Sequence, residues 1–270
     1  MLQYFLRKKE TLSQVDLEIS TQATSPAGAG LGGSSTLSVS LLGAIKSWAD
    51  GRQMNPALEA DLLIDIVRDI ETDVIQVPAG LQDYYGAVYG GLQSLKWNIA
   101  RHERKYFNPD IFAGLQERIL LFYSGQSRNS GINNWVLFKK LIDQDSSVQK
   151  KFQKICDSTL LLENALKNKN WEEVGHTIQQ EWKTRKTLAK GISTPKIDQA
   201  FEFVYKKFRS YGKVCGAGGG GCFFIYFPHS DTQTRNQQKA ETVSAFIKKG
   251  IQPLPFQATP QGLEIQVTHA

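Results

Sequence analysis

The sequence predicts an α+β chain of two domains. Its 270 residues are enough for one large or two ordinary domains. Strand-like segments occur towards both ends of the chain, and a long helical stretch over residues 133–212 separates them. A hydrophobic content of 41% with 10% aromatic residues is typical of a globular protein with a substantial core.

Composition limits the classes of function. The three cysteines, Cys156, Cys215 and Cys222, include no C-x-x-C pair, which argues against a disulfide framework or a zinc site. The formal net charge is +6, but the lysines are scattered along helices, which favours a solvated surface over nucleic-acid binding. No apolar run is long enough for a signal peptide or a membrane span. We therefore predict a cytoplasmic protein that binds neither nucleic acid nor membrane, and a homodimer stays open.

The first elements are predicted to be strands. Residues 4–6 and 15–20 have strand-like sequences, and alternation in the second segment places Val15, Leu17 and Ile19 on one face. This pattern predicts a sheet that is covered on one side.

A glycine-rich loop with a helical pattern directly behind it comes next. It contains four glycines and two serines, namely Gly28, Gly30, Gly32, Gly33, Ser34 and Ser35. The helix is predicted to end near Asp50. Glycines let backbone N–H groups turn towards one point, and the positive end of the helix would face the same point. We therefore predict a phosphate-binding loop; a flexible linker is the alternative, although linkers rarely run straight into an amphipathic helix.

The residues around these glycines separate three kinds of phosphate loop. A Walker A loop ends in Gly-Lys-Ser/Thr, and no lysine follows the glycines before Lys46. The dinucleotide pattern G-x-G-x-x-G fits Gly28, Gly30 and Gly33, but it requires an acidic residue at the tip of a second strand, whereas Asp50 ends a helix. A dinucleotide oxidoreductase remains an alternative and predicts stabilisation by NAD.

Two carboxylates are candidate functional groups. A second helix is predicted from Pro56, with Asn55 as its cap, and Glu71 continues the apolar stripe of this helix. Glu71 either meets a cation or hydrogen-bond donors inside the protein or escapes to water at a frayed helix end. Asp83 is the single acid of residues 79–91, among aromatic residues and glycines, and is either a helix cap or a working carboxylate.

The second half of the chain contains another glycine loop. Residues 118–123 predict a buried strand that leads into S-G-Q-S-R at residues 124–128. The segment G-A-G-G-G-G at Gly216–Gly221 has apolar strand residues on both sides. This predicts a strand–loop–strand unit, which a dinucleotide-binding turn is not. A helix over residues 237–249 and two short strands around Leu254 and Ile265 are predicted to close the chain.

The order of these motifs resembles that of the GHMP kinases, which include galactokinase and the homoserine, mevalonate and phosphomevalonate kinases. P-x-G-x-G-L-G-x-S over residues 26–34 is similar to the second motif of this family, and K-x-x-G-A-G-G-G-G over residues 213–221 is similar to the third. Glu71, a Pro/Gly turn and G-L-Q-D ending at Asp83 resemble the segment that carries the magnesium carboxylate and the catalytic aspartate. The forms G-x-Q-D and S-G-Q-S-R are most similar to the heptose 7-phosphate kinase branch.

The resemblance implies a fold and a set of roles. The N-terminal domain would comprise residues 1–112, and a ferredoxin-like C-terminal domain would comprise residues 113–270. The substrates would be ATP and a sugar or sugar phosphate, with Mg²⁺ as the metal. The residues implied to bind ATP are Pro26, Gly28, Ala29, Gly30, Leu31, Gly32, Gly33, Ser34 and Ser35. Ser34 and Glu71 would hold Mg²⁺, and Asp83 would accept or orient the proton of the attacking hydroxyl.

The acceptor substrate would contact the second glycine loop. The residues implied are Gly216, Ala217, Gly218, Gly219 and Arg128, and the alternative for Arg128 is an ordinary surface arginine. Family members begin with a strand-rich segment that holds a first motif, and this sequence is expected to start after that point. The expected N-terminal domain is therefore truncated. The alternative function is a catalytically impaired nucleotide-binding homologue, which would bind nucleotide without turning over any sugar.

Overall fold

The structure is a computed structural model that describes residues 16–98, 102–126 and 131–268. The described chain divides into two compact units. Unit 1 holds the described residues up to Pro26, then Gly32–Tyr106 and the residues from Thr259 onwards, and unit 2 holds Ala27–Leu31 and Phe107–Ala258. The main boundary between the units lies between Tyr106 and Phe107, and the residues from Thr259 onwards belong to unit 1 again. The domain boundary implied between residues 112 and 113 stays a prediction.

The described part of unit 1 contains three helices and a pair of antiparallel strands. Its elements are α1 (Gly33–Asp50), α2 (Pro56–Ile75), α3 (Gln82–Tyr89), β1 (Gln93–Trp97) and β2 (His102–Tyr106). The two strands are antiparallel, with Gln93 opposite Tyr106. The helices predicted behind the glycine loop and from Pro56 are confirmed. Their apolar faces share a core of Val39, Leu42, Met54, Ala60, Leu63, Ile64, Val67, Tyr84, Tyr85 and Val88.

The strand predicted for residues 15–20 is wrong in its described part. Residues 16–20 form no strand, and the side chains of Leu17 and Ile19 are 39% and 40% exposed. An alternating pattern becomes a strand only where a neighbour pairs with its backbone. No strand among the described residues pairs with this segment. Val15 and the strand predicted at residues 4–6 lie outside the described residues.

The C-terminal segment of unit 1 packs against its helices. The Leu263 N–H donates to the Val88 carbonyl over 3.0 Å. The side chains of Leu263 and Ile265 cover Gly43 of α1, where an added Cβ would lie 2.8 Å from the Ile265 Cδ1. The strand predicted around Ile265 is wrong, because this segment meets helix ends and side chains and pairs with no strand of the described chain.

Unit 2 contains a four-stranded antiparallel sheet with a ferredoxin-like connection. Its elements are α4 (Pro109–Gln116), β3 (Ile119–Tyr123), α5 (Gly131–Ile142), α6 (Ser146–Lys167), α7 (Trp171–Lys186), α8 (Pro195–Phe208), β4 (Tyr211–Val214), β5 (Cys222–Tyr226), α9 (Thr232–Ile247) and β6 (Gln252–Leu254). The strand order is β4-β5-β3-β6. Helices α5–α8 connect β3 to β4, and α9 connects β5 to β6, which gives the β-α-β-β-α-β order of that fold. The α+β fold class and the ferredoxin-like domain are therefore confirmed.

Side-chain caps define helix starts in unit 2. The Asn170 side chain accepts from the Glu173 N–H over 3.2 Å, which satisfies a donor at the start of α7. The Thr194 hydroxyl accepts from the Ile197 N–H over 3.3 Å, and Pro195 occupies the first turn of α8. These caps fix the helices that lie behind the sheet.

Two predicted helix boundaries in unit 2 are wrong by a few residues. The helical stretch ends at Phe208 rather than at residue 212, because Arg209 adopts a left-handed conformation with φ of 54°. The last helix begins at Thr232 rather than at residue 237, because the Asp231 side chain accepts from the Thr234 N–H over 2.7 Å and caps it. No helix in the described part of the chain is long and apolar enough to cross a membrane.

The packing of the C-terminal segment gives a test of the unit 1 core. Replacing Leu263 and Ile265 together by alanine should lower the free energy of unfolding by about 2 kcal/mol, because two half-buried aliphatic side chains lose their contacts with α1. Val267→Ala is the matched control, and this exposed residue should change stability by less than about 0.5 kcal/mol. Urea unfolding followed by circular dichroism measures both, and equal effects would contradict the packing.

Candidate functional site

The start of α1 has the geometry of an anion-binding helix terminus. Gly28, Gly30 and Gly32 have φ angles of 66°, 80° and 72°. Helix α1 begins after Gly32, no side chain caps it, and its first turn has no acidic residue. The Thr36 N–H donates to the Gly32 carbonyl over 2.9 Å, so the three N–H groups before Thr36 have no partner within the helix. Such free N–H groups and the helix dipole together favour a phosphate.

Asp83 lies directly beside this helix start. A Cβ added to Gly32 would lie 3.3 Å from both the Cβ and the Cγ of Asp83. Asp83 is exposed and occupies the first turn of α3, whose N-cap residue is Leu81. The helix-cap interpretation of Asp83 is therefore wrong. The first turn of α3 suits a carboxylate, because it lies near the positive end of the helix dipole.

Glu71 is held inside unit 1 by a tyrosine. Its side chain is half-buried, and its Oε2 accepts a hydrogen bond from the Tyr84 hydroxyl. Because α2 continues to Ile75, Glu71 does not lie at a frayed helix end. Tyr84 is 1% exposed, and its hydroxyl lies near the Ser35 side chain. Burial first, and then the hydrogen bond to Glu71, raise the pKa of Tyr84 well above its usual value, so its hydroxyl remains a donor.

The two serines at the start of α1 have different environments. Ser34 is exposed, whereas Ser35 is 8% exposed and its hydroxyl contacts Tyr84. Tyr84 donates to Glu71 and lies near Ser35, and no hydrogen bond joins Glu71 to Ser34 among the described residues. Ser34 is thus the serine whose hydroxyl is open to a ligand.

The donor set of unit 1 fits magnesium. No cluster of three or more histidine, cysteine, aspartate or glutamate side chains in the described chain could hold a metal ion by itself. Mg²⁺ is usually bound by one or two carboxylates together with substrate phosphates and water. One inward carboxylate, Glu71, and one exposed hydroxyl, Ser34, near an uncapped helix start are consistent with that chemistry.

The second glycine loop connects β4 and β5 as predicted and is anchored at three points of unit 2. Its backbone donors meet three carbonyls, from Gly219 to Ile192 over 2.9 Å, from Gly221 to Gln126 over 2.7 Å, and from Cys222 to Ala29 over 2.7 Å. The anchors include the first glycine loop and the S-G-Q-S-R segment. The structure therefore brings together three segments that lie about ninety residues apart in sequence.

Gly221 is a position of this loop that permits only glycine. A Cβ added to Gly221 would lie 2.6 Å from the Ala29 carbonyl oxygen, and the φ of Gly221 is 73°. Among the residues implied to bind substrate, Gly219 already donates its N–H to Ile192. The N–H groups of Gly216 and Ala217 donate to no other residue of the described chain. Arg128 lies outside the described residues.

The lysine of the third motif, Lys213, forms an ion pair within unit 2. The Lys213 Nζ lies 2.8 Å from the Glu181 carboxylate, and Glu181 also contacts Arg185 at 2.6 Å. Burial raises the pKa of Glu181, but attraction to the two cations outweighs burial and holds this pKa below its usual value. The charge of Lys213 is thus balanced inside unit 2.

Sequence reasoning missed Tyr84 and the carbonyl of Gln126. Tyr84 and Val88 lie four residues apart, so they share one helix face, and both are apolar in character and buried. That periodicity would have indicated burial, but it could not indicate the contact with Glu71. No side-chain signal exists for a backbone carbonyl such as that of Gln126.

Comparison with known proteins identifies related sequences and folds. The model of the GHMP kinases N terminal domain matches residues 1–91, and that of the GHMP kinases C terminal domain matches residues 162–250. The D-glycero-alpha-D-manno-heptose 7-phosphate kinase of Campylobacter jejuni is 24% identical over 238 residues, which are 86% of this chain and 67% of the relative.

Two solved structures have a similar fold. Lactococcus lactis galactokinase complexed with galactose has a TM-score of 0.65 at 14% identity, over 93% of this chain and 71% of that one. A D-glycero-D-manno-heptose 1-phosphate kinase from Bacteroides thetaiotaomicron has a TM-score of 0.62 at 20% identity, over 90% of this chain and 66% of that one. The chain thus spans about two thirds of the length of these relatives. Because the two family models together match two thirds of its residues, the chain belongs to the GHMP kinase family.

Proposed function

We propose that this protein transfers the γ-phosphate of ATP to a hydroxyl group of a sugar or sugar phosphate. One observation carries the proposal. The uncapped start of α1 lies against Asp83, and the next residue, Tyr84, reaches the Glu71 carboxylate. A phosphate site, a base and a metal carboxylate are the parts that phosphoryl transfer requires, since it depends on positioning and charge neutralisation.

The first glycine loop would bind the phosphates of ATP. Its backbone N–H groups and those at the start of α1 would donate to phosphate oxygens. The residues proposed to contact ATP are Pro26, Gly28, Ala29, Gly30, Leu31, Gly32, Gly33, Ser34 and Ser35. The carbonyl oxygen of Ala29 already accepts a hydrogen bond from the Cys222 N–H, so Ala29 would contact ATP only by van der Waals packing on that side. The hydroxyl of Ser35 is likewise engaged by Tyr84.

Ser34 and Glu71 would hold Mg²⁺, which, when bound, neutralises phosphate charge. Asp83 would accept the proton of the acceptor hydroxyl at a carboxylate oxygen, or orient that hydroxyl towards the phosphate. Its exposure leaves the carboxylate accessible to a substrate. Its position beside Gly32 supports this role, since the acceptor hydroxyl must approach the bound phosphate.

The acceptor is proposed to be a heptose phosphate or a related sugar. The similarity to the heptose 7-phosphate kinase of Campylobacter jejuni supports this class. The backbone N–H groups of Gly216 and Ala217 are proposed to contact the acceptor, together with Gly218, Gly219 and Arg128. The N–H group of Gly219 already donates to Ile192, so Gly219 would only let the acceptor approach the backbone closely.

A ligand screen followed by a turnover assay tests the function. Thermal unfolding is measured with ATP, ADP and NAD, each with and without MgCl₂, and ADP release is then measured with heptose 7-phosphate, heptose 1-phosphate and galactose. We expect ATP with Mg²⁺ to raise Tm and one sugar to stimulate ADP release. Stabilisation by NAD alone would contradict the proposal. Nucleotide binding without turnover across a broad sugar panel would support the impaired homologue instead.

The role of Asp83 can be tested by an isosteric change. Asp83→Asn should lower kcat by a factor of about 100 or more and leave the Kd for ATP within about twofold, because only the proton acceptor is lost. The matched control is Asp110→Asn, which removes an exposed first-turn acid from α4. It should leave both quantities unchanged. Similar kcat values for the Asp83 variant and the parent would exclude the catalytic role.

The backbone of the first glycine loop can be tested at Gly30. Gly30→Val should weaken ATP binding by a factor of about 10 or more, because a β-branched residue resists the φ of 80° found there. Gly51→Val places the same residue at φ of 62° in open space at the other end of α1. The two variants should lose similar stability, and isothermal titration calorimetry should show weakened ATP binding only for Gly30→Val. Unchanged affinity would indicate a linker.

The metal role of Glu71 predicts a defect that depends on magnesium. Glu71→Gln keeps the shape and hydrogen bonding of the side chain but removes the charge that attracts Mg²⁺. Its loss of activity should shrink as MgCl₂ is raised from about 0.1 to 50 mM, a range chosen around a weakly held magnesium ion. Asp73→Asn, two residues later on the same helix and exposed, is the charge control. A defect that stays constant over this range would refute the metal role.

A further inference from the structure

Tyr84 connects three helices of unit 1 at the start of the first glycine-loop helix. It belongs to α3, its hydroxyl donates to Glu71 of α2, and the same hydroxyl contacts Ser35 of α1. The ring is fully buried, which fixes the position of the hydroxyl. Both neighbours of this hydroxyl therefore depend on one side chain.

The carboxylate of Glu71 is oriented without being neutralised. Among the described residues, Tyr84 is its one hydrogen-bond partner, and no lysine or arginine forms an ion pair with it. A lysine or arginine in place of Tyr84 would cancel the negative charge and compete with a bound cation. A neutral donor fixes one oxygen, Oε2, and leaves the charge available at Oε1.

We propose that Tyr84 is the positioning residue that orients the Glu71 carboxylate towards the magnesium ion bound with ATP. The proposal rests on the proposed function of this site. It assigns Tyr84 no contact with substrate; Tyr84 acts through Glu71. Loss of its hydroxyl should therefore weaken metal binding while leaving the proton acceptor Asp83 in place, because a phenylalanine ring keeps the core contacts of α3.

The same two helices contain a matched pair without a place in the site. The Tyr89 hydroxyl of α3 donates to the exposed Asp61 carboxylate of α2 over 2.8 Å. Tyr89→Phe therefore removes a tyrosine–carboxylate hydrogen bond between the same helices. Any effect of Tyr84→Phe that arises only from helix packing should appear in Tyr89→Phe as well.

The experiment compares Tyr84→Phe, Tyr89→Phe, Glu71→Gln and the double variant of Tyr84 and Glu71. Binding of Mn²⁺ in the presence of a non-hydrolysable ATP analogue is measured by electron paramagnetic resonance, and urea unfolding is measured in parallel. Tyr84→Phe should raise the Mn²⁺ concentration for half-saturation about 10-fold, as for other residues that orient metal ligands. Tyr89→Phe should leave it unchanged. The double variant should bind Mn²⁺ no more weakly than Glu71→Gln does, because Tyr84 acts through Glu71.

Three outcomes would overturn the inference. The first is an unchanged Mn²⁺ concentration for half-saturation in Tyr84→Phe, and the second is an equal increase of this concentration in Tyr89→Phe. The third is a further increase when Tyr84→Phe is added to Glu71→Gln. A parent protein that binds no Mn²⁺ with the analogue would overturn the proposed function itself, and the inference with it. If Tyr84→Phe does not fold, Ser35→Ala removes the second partner of the hydroxyl and should shift half-saturation in the same direction by a smaller factor.

Discussion

The open N-terminus of α1 is the constraint around which unit 1 is arranged. A capping side chain normally accepts a hydrogen bond from an N–H group of the first helical turn, and a glycine at the N-cap has no side chain to do so. Gly32 occupies that position, while Ser34 and Ser35 follow it and cannot cap from inside the helix. Ser35 is buried near Tyr84 instead. The N–H groups of the first turn thus have no partner within the helix at the place where Asp83 also lies, which is the arrangement expected where an anionic ligand completes the helix start.

In the glycine loop of unit 2, by contrast, backbone N–H groups are bonded to other parts of the unit. There the backbone donors of Gly219 and Gly221 are used to fix the loop against neighbouring carbonyls. The carbonyl of Ala29 joins the same network, so residues 27–31 are ordered by unit 2 before the chain continues into α1 at Gly33. The first glycine loop therefore leads to N–H groups that have no partner within the helix, whereas the second glycine loop has a fixed backbone. Both need glycine, in the first case for positive φ angles and in the second for close approach.

Local signals in the sequence were sufficient for much of this fold. The helix behind the first glycine loop, the helix from Pro56, and the strand–loop–strand around the second glycine loop depend on neighbouring residues and were predicted correctly. Non-local pairing was not accessible. Alternation at residues 16–20 could not show that no strand would pair with them, and nothing in the sequence indicated that Leu263 returns to Val88. For the site, the residue types could be predicted, but the contact between α2 and α3 that holds Glu71 could not.

Two carboxylates show why that contact matters. Glu71 and Glu181 both interrupt apolar faces of helices, and the sequence alone does not separate them. Glu181 meets Lys213 and Arg185, so its charge is consumed within the protein and its role is to join β4 to α7. Within the part of the chain that the structure describes, Glu71 meets only a neutral hydroxyl, so no cation there balances its charge. A half-buried carboxylate with an uncompensated charge carries a desolvation cost. A cation that arrives with its ligand removes this cost, which is why the partner's charge distinguishes a structural carboxylate from one suited to binding metal.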